Sequence, residues 1–128
     1  MKLFQQKSVI EKYDDVKSFV EAYNIGADDF ILATKRIYET CFAPLNLKAH
    51  VEYKSKYGSG EPTDVMIDAL LEDFRQGDYK RIIAIGGGAV IDMAKILVLD
   101  GEAKAESYYR KEVPLRKVRT LLAVPTTC

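Results

Sequence analysis

Short apolar runs alternate along this chain with stretches in which apolar residues recur at helical spacing. The runs are typical of strands buried in a sheet and cover Leu3 to Ile10, Phe30 to Thr34, Ala49 to Tyr53, Ile82 to Ile85 and Thr120 to Val124. The helical spacing predicts amphipathic helices at Val16 to Tyr23, Tyr38 to Leu45, Ile67 to Phe74 and Val90 to Leu97. Alternating strands and helices predict an α/β fold, a Rossmann-like parallel sheet with helices on both faces.

Helix boundary signals agree with this pattern. Asn24 and Gly26 stop the first predicted helix, and Thr63 is the predicted N-cap of the third, which Gly77 is expected to end. The polar stretch from Asp100 to Arg119 has no clear periodicity and predicts an excursion or a short helix.

Three consecutive glycines, Gly86 to Gly88, stand between a buried strand and a helix. A helix start presents unpaired backbone N–H groups and the positive end of the helix dipole, so this turn favours a phosphate or pyrophosphate ligand. The turn is not a P-loop, because Ala89 and Val90 stand where Lys and Ser or Thr are needed. It also lacks the third glycine of G-x-G-x-x-G, since Ile91 stands there. The alternative is that these glycines serve only close packing.

The carboxyl ends of parallel strands meet at one edge of a sheet, where ligands of such folds bind. We expect Thr34 and Lys35, the loop from Gly58 to Pro62, the glycine turn, and the segment from Pro125 to Thr127 to converge there. This edge is predicted to form a nucleotide cleft. Asp92, on the helix after the glycines, could orient a polar ligand group or simply complement the helix dipole.

Composition narrows the classes of protein. With 128 residues, of which 48% are hydrophobic, the chain is expected to form one domain. Nineteen basic and nineteen acidic residues argue against a nucleic-acid-binding surface. No apolar run reaches the length of a membrane span, and the N-terminus does not resemble a signal peptide, so a cytoplasmic protein is expected. Cys41 and Cys128 show no metal-ligand spacing and no disulfide framework, and each is interpreted as a small hydrophobic residue.

Two motifs together resemble the iron-containing (group III) alcohol dehydrogenases. They are Ile-Gly-Gly-Gly-Ala-Val-Ile-Asp-Met-Ala-Lys at 85–95 and Ala-Val-Pro-Thr-Thr-Cys at 123–128. The family carries Gly-Gly-Gly-Ser-x-x-Asp-x-x-Lys and Pro-Thr-Thr-x-Gly-Thr-Gly-Ser-Glu. The resemblance covers the whole chain. Residues 29–38 and 56–67 are most similar to the family members that act on 4-hydroxybutyrate.

The resemblance implies that residues 1–128 form the N-terminal nucleotide-binding domain of a dehydroquinate synthase-like fold. The family's helical domain, which binds a divalent metal such as iron or zinc through one Asp and three His, is expected to be absent from this chain. His50 lies on a predicted strand and is interpreted as structural. No catalytic residue or metal ligand is therefore expected here. The implied reaction is hydride transfer between NAD(H) and a small alcohol or aldehyde, 4-hydroxybutyrate and succinic semialdehyde. A homodimer is also implied, with Leu3 to Ile10 as a possible pairing strand.

By the same resemblance, Gly87, Gly88 and position 89 contact the cofactor pyrophosphate, and the alanine at 89 loses the hydroxyl contact of the family serine. Asp92 matches the family aspartate near the nicotinamide end. The cofactor-contacting threonines of the family correspond to Thr126 and Thr127.

Two further residues bear on the choice between NAD and NADP. Thr34 stands where many members have an Asp that holds the adenosine ribose, so exclusion of NADP is weakened there. Glu61 is expected near the ribose, where its charge would repel a 2′-phosphate, and this favours NAD.

Other functions remain open. The chain could come from the related glycerol dehydrogenase or dehydroquinate synthase branch, or it could be a nucleotide-binding module without catalysis. An Asp and His cluster encoded downstream would support the dehydrogenase.

Overall fold

A computed structural model describes residues 15–124 as a four-stranded sheet between two layers of helices. The strands are β1 (Asp29–Ala33), β2 (His50–Tyr53), β3 (Arg81–Ile85) and β4 (Thr120–Val124). The helices are α1 (Val16–Tyr23), α2 (Lys35–Cys41), α3 (Asp64–Phe74), α4 (Gly88–Lys95) and α5 (Ala105–Tyr109). Single 3₁₀ turns occupy Ala43–Leu45, Lys54–Lys56 and Ile96–Val98. The predicted strand from Leu3 to Ile10 and the candidate residues Thr126 and Thr127 lie outside the described residues.

All strand pairs are parallel, and the order across the sheet is β2-β1-β3-β4. From β1 the chain first adds β2 on one side and then crosses back to place β3 on the other. The gap between β1 and β3 is therefore a topological switch point, the place where α/β sheets bind ligands beyond the carboxyl ends of their strands.

Both faces of the sheet are buried, as the apolar runs predict. Strand residues that alternate along the sequence pack into two separate cores. The core under α3, α4 and α5 takes Phe30, Leu32, Ile82, Ala84 and Leu121 from the strands. The core under α1 and α2 takes Ile31, Ala33, Ile83, Ile85, Leu122 and Val124. This confirms the predicted Rossmann-like layering.

Several helix boundaries follow local signals in the sequence. Asn24 ends α1 in the left-handed conformation, and the Thr63 hydroxyl accepts from the Met66 N–H at 3.2 Å to cap α3. The helix α3 ends at Phe74, the last residue of its predicted apolar face, three residues before the predicted stop at Gly77. Among residues 15–124, no helix has the length and apolar character that crossing a bilayer requires.

The short helix α5 lies within the polar stretch that shows no periodicity. The Asp68 carboxylate of α3 accepts from the Ala105 N–H at 2.7 Å, and the buried Tyr108 hydroxyl donates to the Asp100 carbonyl. Contacts between distant parts of the chain therefore stabilise this helix.

The sequence-based expectation of no disulfide framework is wrong for Cys41. The residue ends α2, is half-buried and is disulfide-bonded.

Candidate functional site

Backbone hydrogen bonds join the carboxyl ends of three strands at one edge of the sheet. Thr34, directly after β1, donates its N–H to the Ile85 carbonyl of β3 at 2.8 Å. Gly86 in turn donates to the Val124 carbonyl of β4 at 3.1 Å. The glycine turn therefore lies beside Thr34 at the switch point, as the sequence predicts.

Gly86 is the glycine that the fold itself requires. Its φ is +152°, and an added Cβ would lie 2.5 Å from Thr34 Oγ1 and 3.0 Å from Val90 Cγ2. Any side chain at this buried position would be both strained and crowded. The packing alternative is correct for Gly86.

Gly88 is different, because no packing contact within residues 15–124 requires a glycine there. It is the first residue of α4, it is exposed, and an added Cβ would meet no atom of the described residues within 4 Å. Gly87 before it is the N-cap and has no side chain that could accept from the N–H groups of the first turn. The start of α4 is thus an open helix N-terminus that a bulky anion can approach closely.

A cavity of about 280 Å³ lies beside Asp92 in the middle of α4. Its lining residues come from the loop after β2, from α3, from α4 and from α5, and they are Glu61, Pro62, Asp64, Ile67, Asp92 and Tyr109. The structure thus brings Glu61 and Asp92 together, whereas Thr34 is not among the lining residues. The contact of Glu61 with an adenosine ribose stays a prediction.

The loop that carries Glu61 is held by hydrogen bonds from the half-buried Lys54. Lys54 Nζ donates to the Gly60 carbonyl at 2.6 Å and to the Gly58 carbonyl at 3.1 Å. These two hydrogen bonds order the loop immediately before Glu61, so the backbone position of Glu61 is well defined.

Tyr109 is a cavity residue that sequence reasoning missed. Burial raises the pKa of its hydroxyl, and the negative charges of Asp92 and Asp64 raise it further. The phenol therefore stays neutral near pH 7 and can donate a hydrogen bond into the cavity. Nothing in the polar stretch around Tyr109 marks it in the sequence, because α5 has no periodic pattern.

The two interpretations of Asp92 can be weighed from its place on α4. The first turn of the helix contains no acidic residue, and Asp92 lies beyond it, where the helix dipole is weak. Its half-buried carboxylate lines the cavity and lies 3.5 Å from Lys95 Nζ. The position favours contact with a ligand over compensation of the dipole.

Among residues 15–124, no three His, Cys, Asp or Glu side chains are arranged to hold a metal ion. His50 stacks on Phe30 with 5.2 Å between ring centroids, and its Nε2 lies 2.7 Å from Glu52 Oε2. These are the contacts of a structural histidine.

Comparison with known proteins gives the same picture of the fold. A structure of sulfoacetaldehyde reductase from Bifidobacterium kashiwanohense in complex with NAD⁺ superposes on 88% of this chain and 31% of that protein, with a TM-score of 0.64 at 20% identity. A structure of an iron-containing alcohol dehydrogenase matches 99% of this chain and 38% of that protein, with a TM-score of 0.56 at 12% identity.

The sequence comparisons identify the family. The chain is 39% identical over all 128 residues to 4-hydroxybutyrate dehydrogenase from Clostridium kluyveri and spans 34% of the length of that relative. The family of iron-containing alcohol dehydrogenases matches residues 2–128. The chain with this glycine turn and acidic cavity therefore belongs to the iron-containing alcohol dehydrogenase family.

Proposed function

We propose that this chain is the NAD-binding part of a dehydrogenase that interconverts a small alcohol and its aldehyde, with 4-hydroxybutyrate and succinic semialdehyde as the substrate pair. The observation that carries the proposal is the open space at Gly88, at the start of α4 and at the switch point of the sheet. The 39% identity to a 4-hydroxybutyrate dehydrogenase supports the choice of substrate.

The residues at this edge suit a dinucleotide. The backbone N–H groups of Gly87, Gly88 and Ala89 bind the pyrophosphate, and the positive end of α4 stabilises its charge. Asp92 accepts a hydrogen bond from the nicotinamide end of the cofactor. Thr126 and Thr127 supply further cofactor contacts. The bound NAD supplies hydride acceptor and donor chemistry, while these residues bind and orient it.

The preference for NAD over NADP is also part of the proposal. Among the described residues, the cavity lining contains three carboxylates, from Glu61, Asp64 and Asp92, and no Lys or Arg. A lining of this charge disfavours an additional phosphate group near it.

The described residues do not fit a metal ion, so no step of the reaction is assigned to a metal here. We propose that the metal, iron or zinc, is bound by a separate helical domain outside residues 1–128. We further propose a cytoplasmic homodimer that acts on small molecules rather than on nucleic acids or membranes.

Binding of NADH to the whole encoded protein tests the proposal. Gly88→Val should raise the Kd for NADH at least tenfold, because the branched side chain fills the space that the pyrophosphate needs. Gly26→Val is the matched control at the opposite edge of the sheet, since an added Cβ there meets, among the described residues, only the Asn24 carbonyl, at 4.0 Å. Fluorescence titration gives both values, and an unchanged Kd for a folded Gly88→Val protein would reject the proposed site.

The substrate is tested separately by NADH oxidation with succinic semialdehyde. The proposal expects turnover that Gly88→Val abolishes and Gly26→Val retains. Activity on glycerol with NAD⁺, without activity on succinic semialdehyde, would instead assign the chain to the glycerol dehydrogenase branch.

A further inference from the structure

Lys95 is a charged residue in an apolar setting. It lies within the run from Met93 to Leu99, whose other members are all buried, and its own side chain is only 6% exposed. Lysine is almost never buried to this extent without partners, because its ammonium group loses its hydration.

The polar contacts of Lys95 do not replace that hydration. Its Nζ lies 3.5 Å from Asp92 Oδ1, and within residues 15–124 the ammonium forms no hydrogen bond. An ammonium has three N–H donors, so this single contact leaves most of its capacity unused. Stability alone would favour an apolar residue here.

Helix electrostatics do not explain this arrangement. Lys95 ends α4, where a cation is favourable, but an exposed lysine would serve that purpose equally well. The Lys17–Glu21 pair on α1 shows the ordinary case, with side chains that are 73% and 67% exposed. The Asp92–Lys95 pair instead joins a buried cation to a carboxylate that lines the cavity.

We propose that Lys95 is a positioning residue for the cofactor, a buried cation that holds the Asp92 carboxylate in place to accept a hydrogen bond from the nicotinamide end. This inference rests on the proposed function. Lys95 also supplies positive charge beside a cavity whose lining, within residues 15–124, has three carboxylates and no basic side chain. The helix holds the two residues three positions apart, so the ammonium approaches Asp92 from the protein interior and leaves the cavity side free for the cofactor.

A double-mutant cycle on the whole encoded protein tests the inference. The variants are Lys95→Met, Asp92→Asn and the double variant, and the readouts are the Kd for NADH and the melting temperature. Lys95→Met should raise the Kd about tenfold, which corresponds to about 1.4 kcal/mol, and should melt at or above the wild-type temperature. The double variant should bind no more weakly than the weaker single variant, because both changes remove the same interaction.

Two further measurements separate positioning from a structural role. Lys95→Met should raise the KM for NADH about tenfold, while the KM for the aldehyde stays within about twofold of wild type. Lys95→Arg, which retains the charge, should keep the Kd within about threefold of wild type.

The outcomes are distinguishable. If Asp92→Asn weakens NADH binding but folded Lys95→Met does not, the inference is overturned and the proposed function stands. Effects that multiply in the double variant also overturn it, as does a folded Lys95→Arg protein that binds tenfold more weakly than wild type. If the wild-type protein does not bind NADH, the proposed function fails, and the inference fails with it.

Discussion

Polar groups are paired at one edge of the sheet and left more open at the other. At the amino ends of the strands, Arg81 donates to both carboxylate oxygens of the buried Asp29, at 2.6 and 3.0 Å, and to the Tyr23 carbonyl at 2.8 Å. The Gly26 N–H donates to the same carboxylate at 2.8 Å. Charges at this amino edge are satisfied within the chain.

At the carboxyl edge, polar groups of the described residues keep unused hydrogen-bonding capacity. Gly88 opens α4 toward empty space, three carboxylates share one cavity, and buried Lys95 has a single long contact to Asp92. Polar groups that are paired within the chain stabilise the fold, whereas the open polar groups at the carboxyl edge are where we propose that a ligand binds.

The largest expected effect comes from removing the ion pair between Arg81 and Asp29 at the amino edge. Arg81→Leu leaves the Asp29 carboxylate buried without its partner and should lower the free energy of unfolding by about 3–5 kcal/mol. Urea unfolding followed by circular dichroism measures this. Lys80→Leu is the matched control, because its pair with Asp78 is 65% and 88% exposed and contributes little. Equal losses for the two variants would contradict the description of the amino edge.

The second prediction compares two glycines within the same turn. Gly86→Ala should lower the free energy of unfolding by about 1–3 kcal/mol, because of its positive φ and the contact with Thr34. Gly88→Ala should raise it by about 0.5–1 kcal/mol, because alanine is the better helix residue. Urea midpoints of the two variants give the signs. Destabilisation by both would show that Gly88 is also a packing glycine.

The third prediction concerns cofactor choice at the carboxyl edge. Thr34 is the N-cap of α2 but makes no side-chain capping bond, so Thr34→Asp should be tolerated by the fold. The new carboxylate should increase the preference for NAD over NADP about tenfold, since it repels a 2′-phosphate. Glu61→Gln is the companion variant and should lower the preference for NAD, because it removes one of the three carboxylates that disfavour an additional phosphate group. The ratio of kcat/KM for the two cofactors measures both effects, and a ratio that neither variant changes would contradict the proposed preference.

The smallest expected effect concerns the hydrogen bond that Tyr57, in the loop after β2, donates to the Asp73 carboxylate. Burial alone would raise the pKa of the Asp73 carboxyl, but hydrogen bonds from Lys56 and Tyr57 outweigh it and hold the pKa below its usual range. A lowered pKa in the folded state gives stability that is present above the unfolded value of about 4 and is lost as the pH falls through the folded value. Tyr57→Phe should therefore cost about 1 kcal/mol at pH 7.

This cost should shrink as the pH falls through the lowered pKa of Asp73 and its carboxyl becomes protonated. Urea midpoints at pH 7 and in acid measure the difference between the variant and wild type. A cost that is the same at both pH values would assign the loss to packing of the tyrosine ring instead.

The sequence predicts the sheet well because its strands are continuous apolar runs that bury both faces. The predicted span from Thr120 to Val124 is the observed strand β4. Thr34 and the glycine turn meet as predicted, since parallel strands must place their carboxyl ends together. The helix α5 could be anticipated only as a possibility, because its five residues depend on partners such as Asp68 that are distant in sequence.

Parts of the site could not be predicted for the same reason. Tyr109 enters the cavity only because α5 packs beside α3 and α4, and no local pattern shows this. Lys95 carried a signal, a single charge inside an apolar run, but its burial depends on how α4 packs against the sheet. The grouping of Glu61 with Asp92 depends on the path of a loop, which apolar periodicity does not describe.

Hydrogen–deuterium exchange of the whole encoded protein, with and without saturating NAD⁺, tests the central claim most directly. The account predicts that NAD⁺ slows exchange of the backbone N–H groups in residues 86–91, at the glycine turn and the start of α4. Residues 24–29, at the amino edge, should exchange at the same rate in both samples. Protection of the amino edge without protection of the glycine turn, at concentrations where NAD⁺ binding is saturated, would contradict the account.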